Sequence, residues 1–325
     1  MRILVVRLSA LGDVVTGLHV LATLRARFSS AHIGWLVEDR FASLLRGHPQ
    51  IDSLHVYERK RLRLPWNWWR IPGFVHDLRR ERYDLALDLQ GNLKSGVLAR
   101  LAGAGRCVGL DRPLSREGNH LLVRERVPPP DGHRIDAYHR LVDHVFGNGV
   151  TAPAVLPADP EPHRAVVLHP GTSAFGAFKR WPLESYAALG DRLAAAGHGP
   201  ILLTAGPGER PQADEVVTRM QTGARLVEPP GLPALRDVLA GARLVVAGDT
   251  GPAQIAAVLG VPTVVLFGPK DPRVLAPVGP HVRTVRTGVP CSPCTLRFCP
   301  APVCMTEMSV DQVAENALDM LAEEG

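Results

Sequence analysis

The chain has 325 residues, of which 46% are hydrophobic and 21% are charged. That length is typical of two domains. No run of about 18 apolar residues exists to cross a membrane, and Arg7 and Asp13 interrupt the first apolar segment, which excludes a signal peptide and predicts a cytoplasmic protein. Residues 1–150 carry 23 Lys and Arg against 15 Asp and Glu, a net charge of +8, whereas residues 151–325 carry 14 against 17. We therefore expect the amino-terminal half to bind an anionic partner.

Short β-rich runs alternate with helical patterns along both halves of the chain. The predicted strands of the first half are residues 2–6, 32–37, 53–57, 83–89 and 106–109. Those of the second half are residues 165–169, 200–204, 225–227, 244–247 and 263–267. Such alternation is typical of parallel sheets with helices on both faces. The sequence therefore predicts an α/β protein of two Rossmann-like, doubly wound domains.

Glycines and prolines break every regular pattern at about residues 148–164, which we interpret as an interdomain linker. This division gives an amino-terminal domain of residues 1–150 and a carboxyl-terminal domain of residues 151–308. Residues 309–325 follow as an amphipathic helix that begins at a capping serine. Ligands bind beyond the carboxyl ends of the strands in such sheets, so we expect two domains that face each other across a cleft with a site on each wall.

A polar turn follows the first predicted strand and carries one carboxylate, that of Asp13. We expect a helix to begin just after it, at about Val14. A carboxylate at the carboxyl end of a strand is placed where a ligand binds. The alternative is an ordinary helix cap, because Asp is favoured at that position.

A basic stretch, residues 59–63, is followed by three of the five tryptophans at residues 66–69. These charges would attract an anionic substrate, and tryptophan suits a membrane surface. The alternative is a helix whose tryptophans pack on the sheet while its charges stay solvated. Nucleic acid is not predicted as a partner, because no nucleic-acid-binding module is visible.

Several common site types are missing. Gly-x-Gly-x-x-Gly does not follow the first strand, which argues against a dinucleotide-dependent oxidoreductase. The run from Gly91 to Ser95 ends like a P-loop but lacks the upstream glycine, which argues against a Walker-type ATPase. Neither Gly-x-Ser-x-Gly nor His-Glu-x-x-His occurs, so nothing supports a serine hydrolase or a zinc protease.

The second half carries residues suited to phosphate. Thr172 and Ser173 follow a strand and can donate to phosphate oxygens, while Lys179, in the run Lys-Arg-Trp-Pro, can stabilise a departing diphosphate; the alternative is a solvated basic pair. Glu209 also follows a strand and can bind ribose hydroxyls, although an acid at a helix start is equally natural. Another strand runs into Asp-Thr-Gly at residues 249–251 and then a helix, whose polarised start suits a phosphate.

Four motifs in this order resemble the ADP-heptose:lipopolysaccharide heptosyltransferases, glycosyltransferase family 9. They are the opening Met1–Val15, the Asp-Leu-Gln-Gly turn at residues 88–91, the Lys-Arg-Trp-Pro element at residues 179–182, and Gly-Asp-Thr-Gly-Pro at residues 248–252. The resemblance covers nearly the whole chain and implies a GT-B fold. It also implies acceptor binding in the amino-terminal domain, nucleotide-sugar binding in the carboxyl-terminal domain, and inversion at the anomeric carbon with no catalytic cofactor or metal.

The resemblance also implies roles for individual residues. Asp13 is the general base and Lys179 holds the diphosphate. The other donor-binding residues are Thr172, Ser173, Glu209 on the ribose, Asp249, Thr250, Gly251 and Gln254. The expected acceptor-binding residues are Lys60, Arg61, Arg63 and Gln90. The implied partners are ADP-heptose and the anionic lipopolysaccharide core, with peripheral contact at the inner face of the inner membrane.

One position departs from the family pattern. Members usually carry His three residues after the glycine of the Asp-Thr/Ser-Gly turn, where this chain has Gln254, which donates hydrogen bonds but cannot become a cation near neutral pH. This puts the donor sugar in doubt. The alternatives are a glycosyltransferase of the same fold with another nucleotide sugar and glycan acceptor, a nucleotide-sugar epimerase, or a catalytically silent carbohydrate-binding relative.

Four of the five cysteines, Cys291, Cys294, Cys299 and Cys304, lie within fourteen residues. Their spacing is typical of ligands for zinc or iron in a reducing compartment, so one interpretation is a structural metal that braces a proline-rich loop. The other interpretation is a cluster of free or redox-labile thiols.

Overall fold

The protein forms two compact units, Met1–Leu156 and Pro157–Gly325, each built on one parallel sheet of six strands. The computed structural model describes residues 1–62, 71–160, 162–172, 174–296 and 298–323. Among these residues no helix is both long enough and apolar enough to span a membrane.

The sheet of the first unit has its amino-terminal strand at the centre. Its strands are β1 (Arg2–Val6), β2 (His32–Glu38), β3 (Ser53–Tyr57), β4 (Leu85–Asp88), β5 (Arg106–Leu110) and β6 (Glu125–Val127). The order is β3-β2-β1-β4-β5-β6, and Val6 is in register with both Leu36 and Asp88. The carboxyl ends of β1, β2 and β4 therefore meet at one edge of the sheet, where the following loops lie together.

Helices cover this sheet. They are α1 (Leu11–Arg27), α2 (Asp39–Leu45), α3 (Arg59–Leu62), α4 (Ile71–Arg80), α5 (Leu93–Leu101) and α6 (Arg134–Phe146). Helix α1 begins at Leu11 and not at about Val14 as predicted, because Asp13 caps it: its Oδ2 accepts a hydrogen bond from the backbone N–H of Ala10 at 3.3 Å. Asp13 therefore lies inside the first turn of the helix.

The sheet of the second unit repeats the same pattern. Its strands are β7 (Val166–His169), β8 (Ile201–Thr204), β9 (Arg225–Val227), β10 (Leu244–Gly248), β11 (Thr263–Phe267) and β12 (Val282–Arg286), in the order β12-β11-β10-β7-β8-β9. The side chains from Leu244 to Ala247 are fully buried, as are those from Ile3 to Val6 in β1. Helices on both faces of a parallel sheet explain these continuous apolar runs.

The last helix completes the core of the second unit. The helices of this unit are α7 (Leu183–Ala195), α8 (Arg210–Arg219), α9 (Leu232–Ala240), α10 (Gly251–Val258), α11 (Pro272–Leu275), α12 (Val303–Thr306) and α13 (Val310–Glu323). Helix α13 buries Val313, Ala317 and Leu321 in the same apolar cluster as strand residues Val246 and Leu266. The segment that we set apart as residues 309–325 is therefore grouped with the second unit.

All ten predicted strands are present, and two further strands were missed. These two, β6 and β12, lie at the edges of their sheets. Strand β6 has three residues, two of them charged, and β12 carries two arginines among its five residues, Val-Arg-Thr-Val-Arg. Short, charged strands are typical of sheet edges, where they block pairing with other chains, but their sequences resemble loops.

The linker is divided between the two units. Its first part is held by the first unit, since the backbone N–H groups of Ala152 and Ala154 donate to Thr23 and His19 at 3.1 Å. Its second part is held by the second unit, where the N–H of Arg164 donates to the carbonyl of Gly241 at 3.1 Å. The units therefore separate between Leu156 and Pro157, whereas the sequence placed the boundary after residue 150.

Candidate active site

Asp13 presents a fixed carboxylate at the carboxyl edge of the first sheet. Its side chain is 33% exposed, and its Oδ2 lies 2.6 Å from a guanidinium nitrogen of Arg7, which is only 4% exposed. Arg134 approaches the other carboxylate oxygen at 3.7 Å. Burial alone would lower the pKa of Arg7, but the neighbouring Asp13 carboxylate and the Tyr138 hydroxyl raise it. Arg7 therefore stays cationic. It orients Asp13 from the buried side and leaves the carboxylate accessible to a ligand.

Gln90 holds the loop between β1 and α1. Its Oε1 accepts hydrogen bonds from the backbone N–H groups of Leu8 at 3.0 Å and Ser9 at 3.1 Å, and its Nε2 donates to Ser9 Oγ at 3.3 Å. We predicted an acceptor-binding role for Gln90. The contacts present are those of a residue that positions the loop before Asp13.

A buried carboxylate supports this arrangement from the next turn. Asp88 is fully buried, and its Oδ1 accepts the backbone N–H groups of Gln90 at 2.9 Å and Gly91 at 3.1 Å. Its Oδ2 accepts from Ser95 at 2.9 Å and Asn119 at 2.7 Å. Burial raises the pKa of Asp88, and these four donors oppose that rise. Asn119 begins a short 3-10 helix, Asn119–Leu121, and it was not predicted because no recognisable motif surrounds it.

The predicted acceptor-binding cations are only partly visible. Arg61 lies in α3 with an exposed side chain, and its guanidinium pairs with Glu58 at 3.1 Å. Lys60 is in the same helix, but its side chain is not described, and Arg63 lies outside the described residues, as does the tryptophan-rich segment of residues 66–69. The roles of these cations remain predictions.

In the second unit, Lys179 and Asp249 form an ion pair. Lys179 ends a short 3-10 helix, Ala174–Lys179, and Asp249 follows β10. Lys179 Nζ lies 2.7 Å from Asp249 Oδ2, with the two side chains 23% and 16% exposed. Thr250 is the N-cap residue of α10, which begins at Gly251. The cation and the first N–H groups of this helix thus lie close together.

Glu209 sits at the start of α8 beside a buried histidine. Its Oε2 accepts the N–H of Gly206 at 2.9 Å and lies 3.5 Å from His169 Nε2. Burial lowers the pKa of His169, although Glu209 opposes this. A Cβ at Gly171 would lie 2.2 Å from Glu209 Oε2, so a side chain there would displace the Glu209 carboxylate. The strand-to-helix turns after β7 and β8 are therefore fitted to each other.

The remaining donor-binding candidates have separate partners. Thr172 Oγ1 accepts a hydrogen bond from Arg180 at 3.3 Å, and Ser173 lies outside the described residues. Gln254, in α10, donates to the carbonyl of Leu275 at 3.2 Å. Trp181, which follows Lys179 in the Lys-Arg-Trp-Pro run, is fully buried and anchors that run in the core.

The predicted structural metal is not supported. Among the residues that the structure describes, no three His, Cys, Asp or Glu side chains are arranged to hold a metal ion. Cys291 is exposed, whereas Cys304 is buried in the apolar core of the second unit. Burial raises the pKa of the Cys304 thiol, which opposes the thiolate form that binds metals. Spacing in the sequence suggested a common site, but the fold turns Cys304 toward the core.

Comparisons with known proteins agree with these features. The profile of glycosyltransferase family 9 (heptosyltransferase) matches residues 72–304. Lipopolysaccharide heptosyltransferase 1 of Pseudomonas aeruginosa is 30% identical over an alignment that covers 99% of this chain and 98% of that protein. This agreement confirms the predicted glycosyltransferase activity.

Solved structures share the fold. A family 9 glycosyltransferase from Veillonella parvula, 20% identical, superposes with a TM-score of 0.84 and covers 99% of this chain and 97% of its own. Escherichia coli heptosyltransferase WaaC with ADP, 24% identical, has a TM-score of 0.79 and covers 100% of this chain and 99% of its own. The predicted GT-B class of two Rossmann-like domains is confirmed. Together with the family profile and the relative from P. aeruginosa, these likenesses show that the chain belongs to glycosyltransferase family 9, the heptosyltransferases.

Proposed function

We propose that this protein transfers heptose from ADP-heptose to the inner core of lipopolysaccharide, with inversion at the anomeric carbon and without a catalytic metal ion. The first unit binds the acceptor, and the second unit binds the nucleotide sugar. The observation that carries the proposal is the accessible Asp13 carboxylate held by the buried Arg7 at 2.6 Å. The relative from P. aeruginosa, named for this activity and similar over nearly the whole chain, supports the choice of substrates.

Asp13 acts as the general base. An acceptor hydroxyl attacks the anomeric carbon of heptose, and its proton passes to the Asp13 carboxylate as the new carbon–oxygen bond forms. The bond between the anomeric carbon and the diphosphate oxygen breaks on the opposite face, and ADP leaves. A carboxylate is a weak base, so the positioning of Asp13 by Arg7 and the Ala10 N–H must contribute much of the rate.

The second unit stabilises the leaving group. Lys179 and the start of α10 place positive charge where the diphosphate becomes more negative as the bond breaks. Thr172 and Ser173 donate to phosphate oxygens, and Glu209 accepts from the ribose hydroxyls. Asp249 keeps Lys179 oriented at 2.7 Å until the diphosphate arrives and shares its ammonium group. The remaining donor contacts, to the sugar and its diphosphate, come from Thr250, Gly251 and Gln254.

The acceptor is anionic, which suits the net charge of +8 on residues 1–150. Lys60, Arg61 and Arg63 bind its acidic groups, and Gln90 completes that region by holding the loop before Asp13. The same basic segment, with its neighbouring tryptophans, brings the enzyme to the inner face of the inner membrane, where a lipid-anchored acceptor is presented.

One observation favours a second candidate, a related enzyme that uses another nucleotide sugar. Gln254 stands where the family usually has a histidine, and its amide donates to the carbonyl of Leu275. A neutral amide contacts a sugar differently from an imidazole, so the identity of the donor sugar depends on this position.

The test is direct transfer with purified protein. ADP-heptose and a heptose-free lipopolysaccharide core are supplied, ADP release is followed, and the product mass is measured. Addition of one heptose in the absence of divalent metal ions supports the proposal. Turnover with a different nucleotide sugar, and none with ADP-heptose, would establish the second candidate instead.

A further inference from the structure

Besides Asp13 and Asp88, a third carboxylate lies at the same edge of the first sheet. Glu38 is the last residue of β2, and its side chain is 0% exposed. Its Oε2 lies 2.9 Å from Arg40 Nε and 3.7 Å from Arg59, and its Oε1 pairs with Lys94. One buried carboxylate thus joins three cations, and the group carries a formal net charge of +2.

The three cations come from three different loops. Arg40 lies in α2 after β2, Arg59 begins α3 after β3, and Lys94 lies in the first turn of α5 after β4. Strands β3, β2, β1 and β4 are neighbours in that order, and Asp13 follows β1. The cations and the proposed general base therefore share the carboxyl edge of one parallel sheet, within the first unit.

This arrangement leaves the cations able to bind a ligand. The side chains of Arg40, Arg59 and Lys94 are 51%, 36% and 31% exposed. An arginine has five N–H donors and a lysine three, whereas one carboxylate has about four acceptor sites, so most of the donors do not bond to Glu38. Lys94 also lies 5.6 Å from the centre of the Tyr57 ring, a cation–π contact that fixes it further.

A buried carboxylate is costly as a source of stability alone. Removing it from water carries a penalty that its ion pairs only partly offset. What Glu38 does achieve is to hold three flexible side chains in fixed positions, and cations fixed in advance bind an anion with a smaller loss of conformational entropy.

We propose that Lys94 and Arg59, with Arg40 at the rim, form an acceptor subsite for a carboxylate or phosphate group, and that Glu38 is the positioning residue that holds them. The inference rests on the proposed function, since it concerns the anionic acceptor of that reaction. It adds a subsite beyond residues 60–63, built from separate loops around one buried acid.

Kinetics with both substrates test this subsite. Lys94→Met should raise the acceptor KM roughly tenfold, the scale of a lost charge-assisted hydrogen bond at a partly exposed site. The KM for the nucleotide sugar should not change. The acceptor KM of the wild type should rise with added NaCl, and Lys94→Met should show a weaker dependence. Arg106→Met, which removes an exposed cation from the amino end of β5, is the matched control and should leave both KM values unchanged.

A double-mutant cycle tests the role of Glu38. Glu38→Gln should raise the acceptor KM, and the Glu38→Gln/Lys94→Met double variant should be little worse than either single variant, because Glu38 acts through Lys94. Glu125→Gln, at an exposed pair, is its control. If Glu38→Gln does not fold, Lys94→Met decides the question alone. An acceptor KM unchanged by Lys94→Met in an active enzyme overturns the subsite, whereas a wild type that transfers no heptose overturns the proposed function instead.

Discussion

Each unit pairs an acidic side chain with a cationic one near a strand-to-helix turn. The more exposed member of the pair is the acid in the first unit and the cation in the second. In the first unit Asp13 is 33% exposed and its partner Arg7 is 4% exposed. In the second unit Lys179, at 23%, is more exposed than its partner Asp249, at 16%. The first turn therefore presents an acceptor of protons, and the second presents a cation. A strand-to-helix turn can thus carry a proton-accepting carboxylate in one unit and an anion-binding cation in the other.

The difference arises from where each acid lies relative to its helix. Asp13 is inside the first turn of α1, where it caps the helix. The cation that holds it, Arg7, is a buried residue directly after β1. Asp249 precedes the N-cap residue Thr250, and the cation that it holds, Lys179, comes from the end of a separate 3-10 helix. The buried Arg7 keeps its charge and fixes the neighbouring Asp13. Lys179, in contrast, is held by Asp249 and can turn toward a ligand.

The largest effect should come from removing the exposed acid of the first pair. Asp13→Asn keeps the size of the side chain but removes the base, so turnover should fall by roughly 10²–10⁴. Binding of ADP to the second unit, measured by calorimetry, should stay near that of the wild type. Equal turnover in the variant would show that the two pairs do not differ in the way proposed.

Removing Arg7, the buried cation of the same pair, should lower turnover less than removing Asp13. In Arg7→Met the partly exposed Asp13 carboxylate can be hydrated again, which limits the cost of breaking the pair. We therefore expect the free energy of unfolding to fall by roughly 1–3 kcal/mol. Turnover should fall roughly 10–100-fold, because Asp13 loses its orientation.

Arg27→Met is the matched control for this variant. Arg27 is 8% exposed and pairs with Asp143 at 2.7 Å in the same unit, away from Asp13. It should lose comparable stability by thermal denaturation while turnover stays near that of the wild type. If both variants lose the same fraction of turnover, stability and not the position of Asp13 explains the result.

The cation of the second pair should matter for binding of the donor. Lys179→Ala should weaken ADP binding by about 1–3 kcal/mol, the scale of a lost charge-assisted hydrogen bond. Arg236→Ala, which breaks a half-buried pair with Asp237 at 2.8 Å in the same unit, should leave ADP affinity unchanged. Calorimetry that finds full affinity in the Lys179 variant would place the diphosphate elsewhere.

The sequence predicted the central strands and both turns because these features are local. A run such as Ile3–Val6 is buried on both faces and looks like a strand by itself. The edge strands β6 and β12 were missed because their residues are charged, and only pairing with a neighbour makes them strands.

The supports of the site could not be predicted, because they join distant parts of the chain. Arg134 and Glu38 lie in none of the motifs, and their roles depend on which loops meet at the edge of the sheet. Arg7 lies within the opening motif, but its burial and its pairing with Asp13 follow only from the fold. The four cysteines show the opposite failure, since close spacing in sequence suggested a shared metal that the fold does not support. Spacing indicates chemistry only when the side chains also point the same way.

The smallest effect should be a difference in how acid destabilises the two units. In the first unit burial lowers the pKa of four histidines, His32, His48, His55 and His139. The pKa of His55 falls to about 4. In the second unit burial lowers the pKa of His169. The unfolded chain binds protons as the pH falls below about 6.5, while these buried groups stay neutral, so each lowers the stability progressively until its own folded-state pKa is reached.

The first unit should therefore lose more stability than the second between pH 6.5 and about 4, the range that His55 spans. Hydrogen exchange at several pH values, read separately for each unit, measures this difference. His55→Asn should flatten the pH dependence of the first unit and leave that of the second unit unchanged, so the second unit serves as the internal control. Equal loss in both units would mean that carboxylates, and not these histidines, govern unfolding by acid. The exposed acid in the first unit and the exposed cation in the second would then differ in chemistry without a difference in acid stability.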